Sequence, residues 1–348
     1  PNSPESYTPF LDSLLAQSMF FEDAIANSRT SMDALPSVIS SIPAYTNESF
    51  ILSEYSANQF QGLPSILKEA GYYSAFFHGA NNGSMRFDAF TSAAGFDAYY
   101  GRNEYPNPSH FDGNWGIEDH HMLSFAVDEM NRFKKPFFSM IFTLSSHHPY
   151  TIPTSFKSRV KHGPEPLCAT ISYVDLALKE FWEKAKKQAW FKNTLFVFCA
   201  DHVGPTKRWD RSSLEWTYRI PIGFYHASMN LPKVKKGKMF QQIDIMPTVL
   251  DYLHFDHPFM AFGESALRKK QYPYAINYRD GIYQTIDSTH VLQFAEDQTL
   301  AFYNYQIDPF LKNNLRNKIY AKENKMKEFT AAYIQQFNDA LIENKYQT

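Results

Sequence analysis

The segment Thr194–Pro205, with the sequence TLFVFCADHVGP, decides the fold because its apolar run stops abruptly at Asp201 and His202. A strand buried in a parallel sheet is expected to be apolar throughout, so the run predicts a strand over 194–200. Asp and neutral His both bind divalent cations, and the carboxyl edge of a sheet fixes such side chains while leaving one side open. We therefore predict a metal site here. Alternatively, Asp201 caps the following turn and His202 packs or faces solvent.

Helix and strand signals alternate on both sides of this segment, which is the pattern of a layered α/β domain. Two further predicted strands also end in residues that can bind a metal or transfer a proton. The strand 73–77 ends at His78, and the strand 136–144 runs into His147. Active sites of open α/β sheets lie at the carboxyl ends of strands, so these residues and the Asp201-His202 pair are predicted to converge.

Apolar periodicity and capping residues predict the remaining elements. The predicted helices cover 8–17, 29–40, 63–70, 119–132, 171–187 and 242–253, and short strands cover 19–24 and 221–225. Short β-runs separated by turn signals over 275–306 predict an antiparallel sheet, and a lysine-rich amphipathic helix over 317–344 presents a solvated charged face. We predict a catalytic α/β domain over 1–264, and a β subdomain with a closing helix over 265–348.

Composition excludes several classes of protein. A chain of 348 residues can bury a large core, and its net charge of -2 supplies no field that would recruit nucleic acid or an acidic membrane. Cys168 and Cys199 support neither a disulfide framework nor a zinc cluster. The longest apolar run, 137–144, is too short to span a bilayer. The chain begins at Pro1 without a methionine, which suggests a fragment of a longer protein.

Hydroxyl groups gather in the segment 27–33, NSRTSMD, at the predicted start of the second helix. Unpaired N–H groups and the helix dipole favour an anion at such a position. Serine and threonine are ordinarily helix caps there. A hydroxyl bound to a cation has a lower pKa, however, and can attack phosphorus without a separate strong base.

Seven segments between Thr8 and Leu250 resemble, in order, the lipoteichoic acid synthase family. This family is a membrane-anchored branch of the alkaline phosphatase and sulfatase superfamily. The segments are 8–43, FHGANNGSMRFDAF (77–90), GFDAYYG (95–101), WGIED (115–119), TLSSHHPYT (143–151), ADHVG (200–204) and QIDIMPTVL (242–250). The resemblance implies an alkaline phosphatase-like α/β fold: a central, mostly parallel sheet flanked by helices, then a small C-terminal antiparallel β subdomain and a terminal helix.

The resemblance also implies a nucleophile and a cation. Thr30 matches the nucleophilic threonine of the family, and Asp201 and His202 match two ligands of one divalent cation, Mn²⁺ most often and Mg²⁺ otherwise. The remaining family ligand is an acidic residue on a strand well before a TPFL-like helix. That ligand is therefore expected upstream of Pro1, and Glu5 is interpreted as a surface residue.

Three further residues are implied on the substrate side. His147 matches the histidine that contacts glycerol phosphate or assists the leaving group, and His78 lies where the family has another substrate-side histidine. Arg86 lies near the place of a phosphate-binding arginine, although the preceding NNGSM differs from the best-known members.

The activity implied is phosphoglycerol transfer in two steps. Thr30, itself a third ligand of the cation, attacks the phosphodiester of an anionic lipid such as phosphatidylglycerol and displaces diacylglycerol. It then holds phosphoglycerol until a glycan or glycerophosphate hydroxyl accepts it, while His147 donates or takes the proton. No nucleic acid partner is expected. The family implies a catalytic domain outside the cytoplasmic membrane, held through an upstream anchor.

Several alternatives stay open. A sulfatase needs a Cys or Ser in a C/S-x-P-x-R context, which neither Cys168 nor Cys199 has. A two-metal phosphatase or nucleotide pyrophosphatase would add ligands such as Asp244 with His254 or His257. A phosphoethanolamine transferase is excluded only weakly, by the small number of cysteines. A non-catalytic relative would bind a lipid headgroup or a glycerophosphate polymer.

Overall fold

The computed structural model describes residues 6–205, 216–235, 237–270 and 273–347. The chain forms two compact units that interleave in sequence. The first unit contains Pro1–Phe20, Pro64–Phe198 and Gly223–Lys233, and the second contains Phe21–Leu63, Cys199–Ile222 and Val234–Thr348. These units divide the chain differently from the predicted boundary after residue 264, and that functional division stays a prediction.

The elements follow the alternation predicted from periodicity. The helices are α1 Pro9–Leu15, α2 Ser31–Ser40, α3 Leu63–Glu69, α4 Phe87–Ala93, α5 Asp119–Met130, α6 Pro166–Ala185, α7 Ile245–Tyr252 and α8 Tyr320–Ile342. The strands are β1 Met19–Ile25, β2 Tyr73–His78, β3 Ala98–Tyr100, β4 Phe137–Phe142, β5 Leu195–Cys199, β6 Arg219–His226, β7 Ala275–Arg279, β8 Ile282–Ile286, β9 His290–Ala295 and β10 Gln298–Asn304. Every predicted element is present, with boundaries shifted by a few residues.

Three sheets organise the strands. In the first, β2 pairs in parallel with both β3 and β4, and the register runs from Tyr73 opposite Phe137 to His78 opposite Phe142. The second sheet has the order β1-β6-β5, and the third is an antiparallel sheet in the order β10-β9-β8-β7. The predicted fold class, α/β with a parallel sheet, a C-terminal antiparallel sheet and a terminal helix, is confirmed.

Aromatic packing and one buried carboxylate hold the first unit together. Phe77 stacks on Tyr100 with ring centroids 4.7 Å apart, and each buried ring of this size contributes about 1.5–3 kcal/mol. The Asp175 side chain on α6 accepts hydrogen bonds from the backbone N–H groups of Phe10 and Leu11, at 3.0 and 2.8 Å. This carboxylate satisfies orphan donors at the start of α1 and so fixes α1 against α6.

The strand β5 departs from the sequence expectation in its burial. All five of its residues are only partly buried, although the apolar run predicts a strand buried throughout. The six residues of β4 are partly buried in the same way. The reason is position: β5 and β4 each stand last in the strand order of their own sheets, so one edge of each carries no strand in that order.

In the second unit, the antiparallel sheet packs against α8. The ring of Tyr45 is fully buried and meets the rings of Tyr283 and Phe337 at 5.9 and 5.2 Å. The Oγ1 atoms of Thr285 and Thr330 lie 2.5 Å apart between the sheet and the helix. Across the described ranges, no helix is both long and apolar enough to cross a membrane.

Candidate functional site

The candidate site in the second unit is built around Asp201, the second residue after β5. The hydroxyl of Ser31, the first residue of α2, donates a hydrogen bond of 2.6 Å to Asp201 Oδ2. The His202 Nε2 atom lies 3.4 Å from the same oxygen. A carboxylate, an imidazole and a hydroxyl therefore converge within the second unit, and all three side chains are partly accessible.

A buried amide fixes this arrangement. Gln242, which is 0% exposed, donates from Nε2 to the backbone oxygens of Ala200 and Asp201, at 3.0 and 2.7 Å. Its Oε1 accepts the Asn27 N–H at 2.9 Å. One side chain thus holds the turn after β5 beside the segment that leads into α2. No sequence pattern singles out Gln242, although it begins the QIDIMPTVL segment.

Thr30, the predicted nucleophile, contacts a different carboxylate. Its exposed hydroxyl donates to Asp33 Oδ2 at 2.7 Å, an atom that the Ser28 hydroxyl also reaches at 2.7 Å. Thr30 is the extended N-cap residue of α2, with φ −131° and ψ 147°, whereas Ser31 lies inside the helix. The structure therefore brings Ser31 to Asp201 and Thr30 to Asp33.

The residues present fit a divalent cation. His202 Nδ1 lies 3.1 Å from the Val203 carbonyl, which only accepts, so Nδ1 carries the proton and Nε2 keeps its lone pair. A histidine oriented in this way, beside a carboxylate and a hydroxyl, is a typical ligand set for Mn²⁺, Mg²⁺ or Zn²⁺. The set supplies one nitrogen and two oxygen atoms.

His78, a predicted substrate residue, lies in the first unit and is 0% exposed. Its Nδ1 atom lies 3.0 Å from the Tyr99 hydroxyl, and its ring is 5.1 and 5.6 Å from those of Phe87 and Phe142. Its Nε2 atom has no hydrogen-bond partner within the described part of the chain. Burial lowers the pKa of His78 to about 4. Substrate binding by His78 stays a prediction and requires Nε2 to become accessible.

His147 and Arg86 are the other predicted substrate residues, and both are exposed on the first unit. The His147 ring lies 4.3 Å from that of Trp115, and its Nδ1 atom lies 3.0 Å from the His148 carbonyl oxygen. Asp119, buried at the start of α5, accepts the N–H groups of Leu144 and Ser145 at 2.8 and 2.9 Å. That carboxylate anchors the turn that carries His147.

We predict that His78 makes the protein less stable in mild acid. Its pKa falls from the ordinary 6.5 to about 4 on folding, so the unfolded chain takes up the proton first as the pH drops. The free energy of unfolding should decrease between pH 6.5 and 4, by up to about 3 kcal/mol from this residue. Urea melts of wild type and His78→Phe across this range measure the effect. An equal pH dependence in both proteins would contradict it.

Comparison with known proteins shows the family to which the chain belongs. Residues 2–255 match the Sulfatase family. Lipoteichoic acid synthase 1 of Bacillus subtilis is 25% identical over 268 residues, 70% of this chain and 42% of that protein. Lipoteichoic acid synthase of Staphylococcus aureus is 25% identical over 254 residues, 67% of this chain and 39% of that protein. The chain thus spans less than half the length of these relatives.

Two solved structures share the fold. A protein of the alkaline phosphatase superfamily from Vibrio parahaemolyticus superposes with a TM-score of 0.85 at 22% identity, covering 98% of this chain and 83% of that one. The lipoteichoic acid synthase LtaP from Listeria monocytogenes superposes with a TM-score of 0.80 at 20% identity, covering 96% and 87%. These two likenesses show that the chain has the fold class of alkaline phosphatase-like proteins. Within that class, the chain belongs to the sulfatase family.

Proposed function

We propose that the protein is a cation-dependent transferase that moves phosphoglycerol, or a similar phosphorylated headgroup, from a phospholipid to an acceptor hydroxyl. The observation that carries this proposal is the contact of Ser31 with Asp201, beside His202, at the start of α2. The similarity to lipoteichoic acid synthases supports the choice of a phosphodiester over a sulfate ester.

Asp201, His202 and the Ser31 hydroxyl would hold one divalent cation, Mn²⁺ or Mg²⁺. When bound, it supplies positive charge that stabilises the nonbridging phosphate oxygens and lowers the pKa of the nucleophilic hydroxyl. The Val203 carbonyl holds His202 in the tautomer that ligation requires. Gln242 keeps the backbone of Asp201 in place throughout.

We propose Ser31 as the nucleophile in preference to Thr30. The Ser31 Oγ–H already points at the Asp201 carboxylate, which suits loss of its proton on attack. The new Oγ–P bond forms as the phosphorus–oxygen bond to diacylglycerol breaks and diacylglycerol takes up a proton. In the second step the acceptor oxygen loses its proton and bonds to phosphorus, the Oγ–P bond breaks, and the Ser31 hydroxyl is restored. Thr30 stays the prediction from sequence resemblance, and its hydroxyl is engaged by Asp33 instead.

His147 is proposed to exchange protons with the leaving and entering oxygens. Its Nδ1 donates to the His148 carbonyl, which leaves Nε2 as the nitrogen that gives or takes a proton. Arg86 is exposed and is proposed to bind phosphate oxygens, because the planar guanidinium group can donate two parallel hydrogen bonds to a phosphate. His78 is proposed on the substrate side only through the resemblance.

We propose that one further carboxylate, implied by the resemblance to lipoteichoic acid synthases, completes the coordination of the cation. The proposed setting is the outer side of the cytoplasmic membrane. There an anionic lipid such as phosphatidylglycerol serves as donor, and a glycan or glycerophosphate serves as acceptor.

A second candidate function is hydrolysis of sulfate or phosphate esters, which the family match favours. A formylglycine sulfatase needs a Cys or Ser in a C/S-x-P-x-R context, which neither Cys168 in α6 nor Cys199 in β5 has. Asp244, considered for a second metal, is fully buried with Lys270 as its ion-pair partner. Its carboxylate also accepts the N–H groups of Gln241 and Glu264, at 2.8 Å each, so its oxygens already serve the fold.

The test incubates the full natural protein with labelled phosphatidylglycerol vesicles and Mn²⁺ and measures the release of diacylglycerol. We expect release that EDTA abolishes and Mn²⁺ restores, with the label passing to a glycerol acceptor. Cleavage of an aryl sulfate without diacylglycerol release would make the protein a sulfatase. Vesicle binding without turnover would favour a non-catalytic headgroup-binding relative.

A further inference from the structure

A second cluster of cation ligands lies in the first unit, at the start of α5. One ligand atom from each of Glu118, His120 and His121 lies within 4.8 Å of the others. Glu118 Oε2 is 3.6 Å from His121 Nε2 and 4.0 Å from His120 Nδ1. Ligands around a tetrahedral zinc ion are roughly 3.3 Å apart, so Glu118 Oε2 would have to move closer by about 0.3 Å to His121 Nε2 and by about 0.7 Å to His120 Nδ1.

The three side chains are sheltered but reachable. Their exposed fractions are 23% for Glu118, 13% for His120 and 30% for His121. Burial lowers the pKa of His120 to about 4, and burial together with the nearby His110 lowers that of His121. Both rings are therefore neutral at pH 7, the form in which imidazole binds metals.

Neighbouring groups hold the two rings in place. The His121 ring is stacked on that of His110, with centroids 3.4 Å apart and planes 6° apart. Both nitrogens of His110 are engaged, Nδ1 with the Tyr105 hydroxyl at 2.7 Å and Nε2 with Asn107 at 2.9 Å. His110 therefore packs against the His121 ring and is not counted as a ligand.

The Tyr173 hydroxyl orients His120. It lies 2.8 Å from Nδ1 of that residue and accepts its backbone N–H at 3.1 Å. This contact fixes the plane of the imidazole ring at the start of α5. Since Nδ1 is the His120 nitrogen that lies 4.0 Å from Glu118 Oε2, a bound cation would take the place of the Tyr173 hydroxyl at that nitrogen.

We propose that Glu118, His120 and His121 form a binding site for a borderline divalent cation, Zn²⁺ in the first place. Two imidazoles and one carboxylate select Zn²⁺, Co²⁺ or Ni²⁺ over Mg²⁺ and Ca²⁺, which prefer oxygen ligands. Bound Zn²⁺ would crosslink side chains at the start of α5. The Glu118 N–H also donates a hydrogen bond of 3.0 Å to the His110 carbonyl, which connects this helix start to the segment around His110. The site stands independently of the proposed phosphoglycerol transfer.

The test is calorimetric titration of the EDTA-treated protein with ZnCl₂ alone. The background variant is Asp201→Asn with His202→Gln, which removes the other candidate cation site. We expect this variant to keep one Zn²⁺-binding event and to gain thermal stability from Zn²⁺. Adding His121→Gln should weaken that event at least tenfold and remove the gain. Glu118→Gln, which keeps the side-chain shape, should weaken it as well.

His257→Gln is the matched control, because His257 also lies beside a carboxylate, 2.9 Å from Asp256, but at 70% exposure and with two residues only. It should leave the Zn²⁺ affinity unchanged. Equal Zn²⁺ affinity with and without His121 and Glu118 would overturn the proposal. So would loss of all Zn²⁺ binding in the Asp201→Asn, His202→Gln background.

Discussion

Replacing Ser31 with alanine is expected to reduce diacylglycerol release by about 10³-fold or more, the usual cost of removing a nucleophile. The reason is that Ser31 alone among the hydroxyls of the segment 27–33 is hydrogen-bonded to Asp201. Initial rates with labelled phosphatidylglycerol and Mn²⁺ give the ratio. The fold should survive, because the serine is a helical residue with a partly accessible side chain.

The matched control is Thr30→Val, which keeps the branched shape and loses only the hydroxyl. Thr30 makes no side-chain cap to α2, and its bond to Asp33 is exposed, so we expect activity within about tenfold of wild type. The opposite pattern, with Thr30→Val inactive and Ser31→Ala active, would return the nucleophile to the residue indicated by sequence resemblance.

Replacing Asp201 with asparagine should weaken Mn²⁺ binding by at least about tenfold, and activity should fall with it. The amide preserves shape and still accepts from Ser31, but it loses the charge that holds a hard cation. Titration of free Mn²⁺ by electron paramagnetic resonance measures the affinity.

Asp33→Asn is the control for Asp201→Asn, since Asp33 also accepts hydroxyl hydrogen bonds from Ser28 and Thr30. It should leave Mn²⁺ affinity close to wild type. Equal losses of Mn²⁺ affinity from the two substitutions would show that the affinity depends on the overall negative charge rather than on Asp201. The Glu118, His120 and His121 cluster is intact in both variants, so any Mn²⁺ it binds contributes equally to the two results.

The sequence predicts the fold well because its elements have strong local signals. Thr8 and Pro9 mark the start of α1, and alternation over 275–306 marks the antiparallel sheet. Burial was harder to predict: the apolar run of β5 is typical of a central strand, whereas its place in the sheet makes it an edge strand. Strand order is set by tertiary pairing, which one strand's composition does not reveal.

The candidate site was predicted in part. Asp201 and His202 follow a strand end as expected, but the choice between Thr30 and Ser31 depends on where α2 begins. A shift of one residue at a helix start turns a side chain by about 100°, and such boundaries are not fixed by propensity. Gln242 acts through contacts with segments far apart in the chain. Glu118, His120 and His121 are close in sequence, but their spacing matches no metal-binding motif.

The most direct test of the account is to find the residue that carries the phosphorylated headgroup. The protein would be mixed with phosphatidylglycerol and Mn²⁺ in the absence of acceptor, quenched in acid and digested, and the peptide spanning 27–33 sequenced by mass spectrometry. We predict a phosphoglycerol group on Ser31, absent after EDTA treatment and absent from Ser31→Ala. A headgroup on Thr30 would contradict the assignment of Ser31. An unmodified peptide despite diacylglycerol release would contradict covalent transfer through this segment.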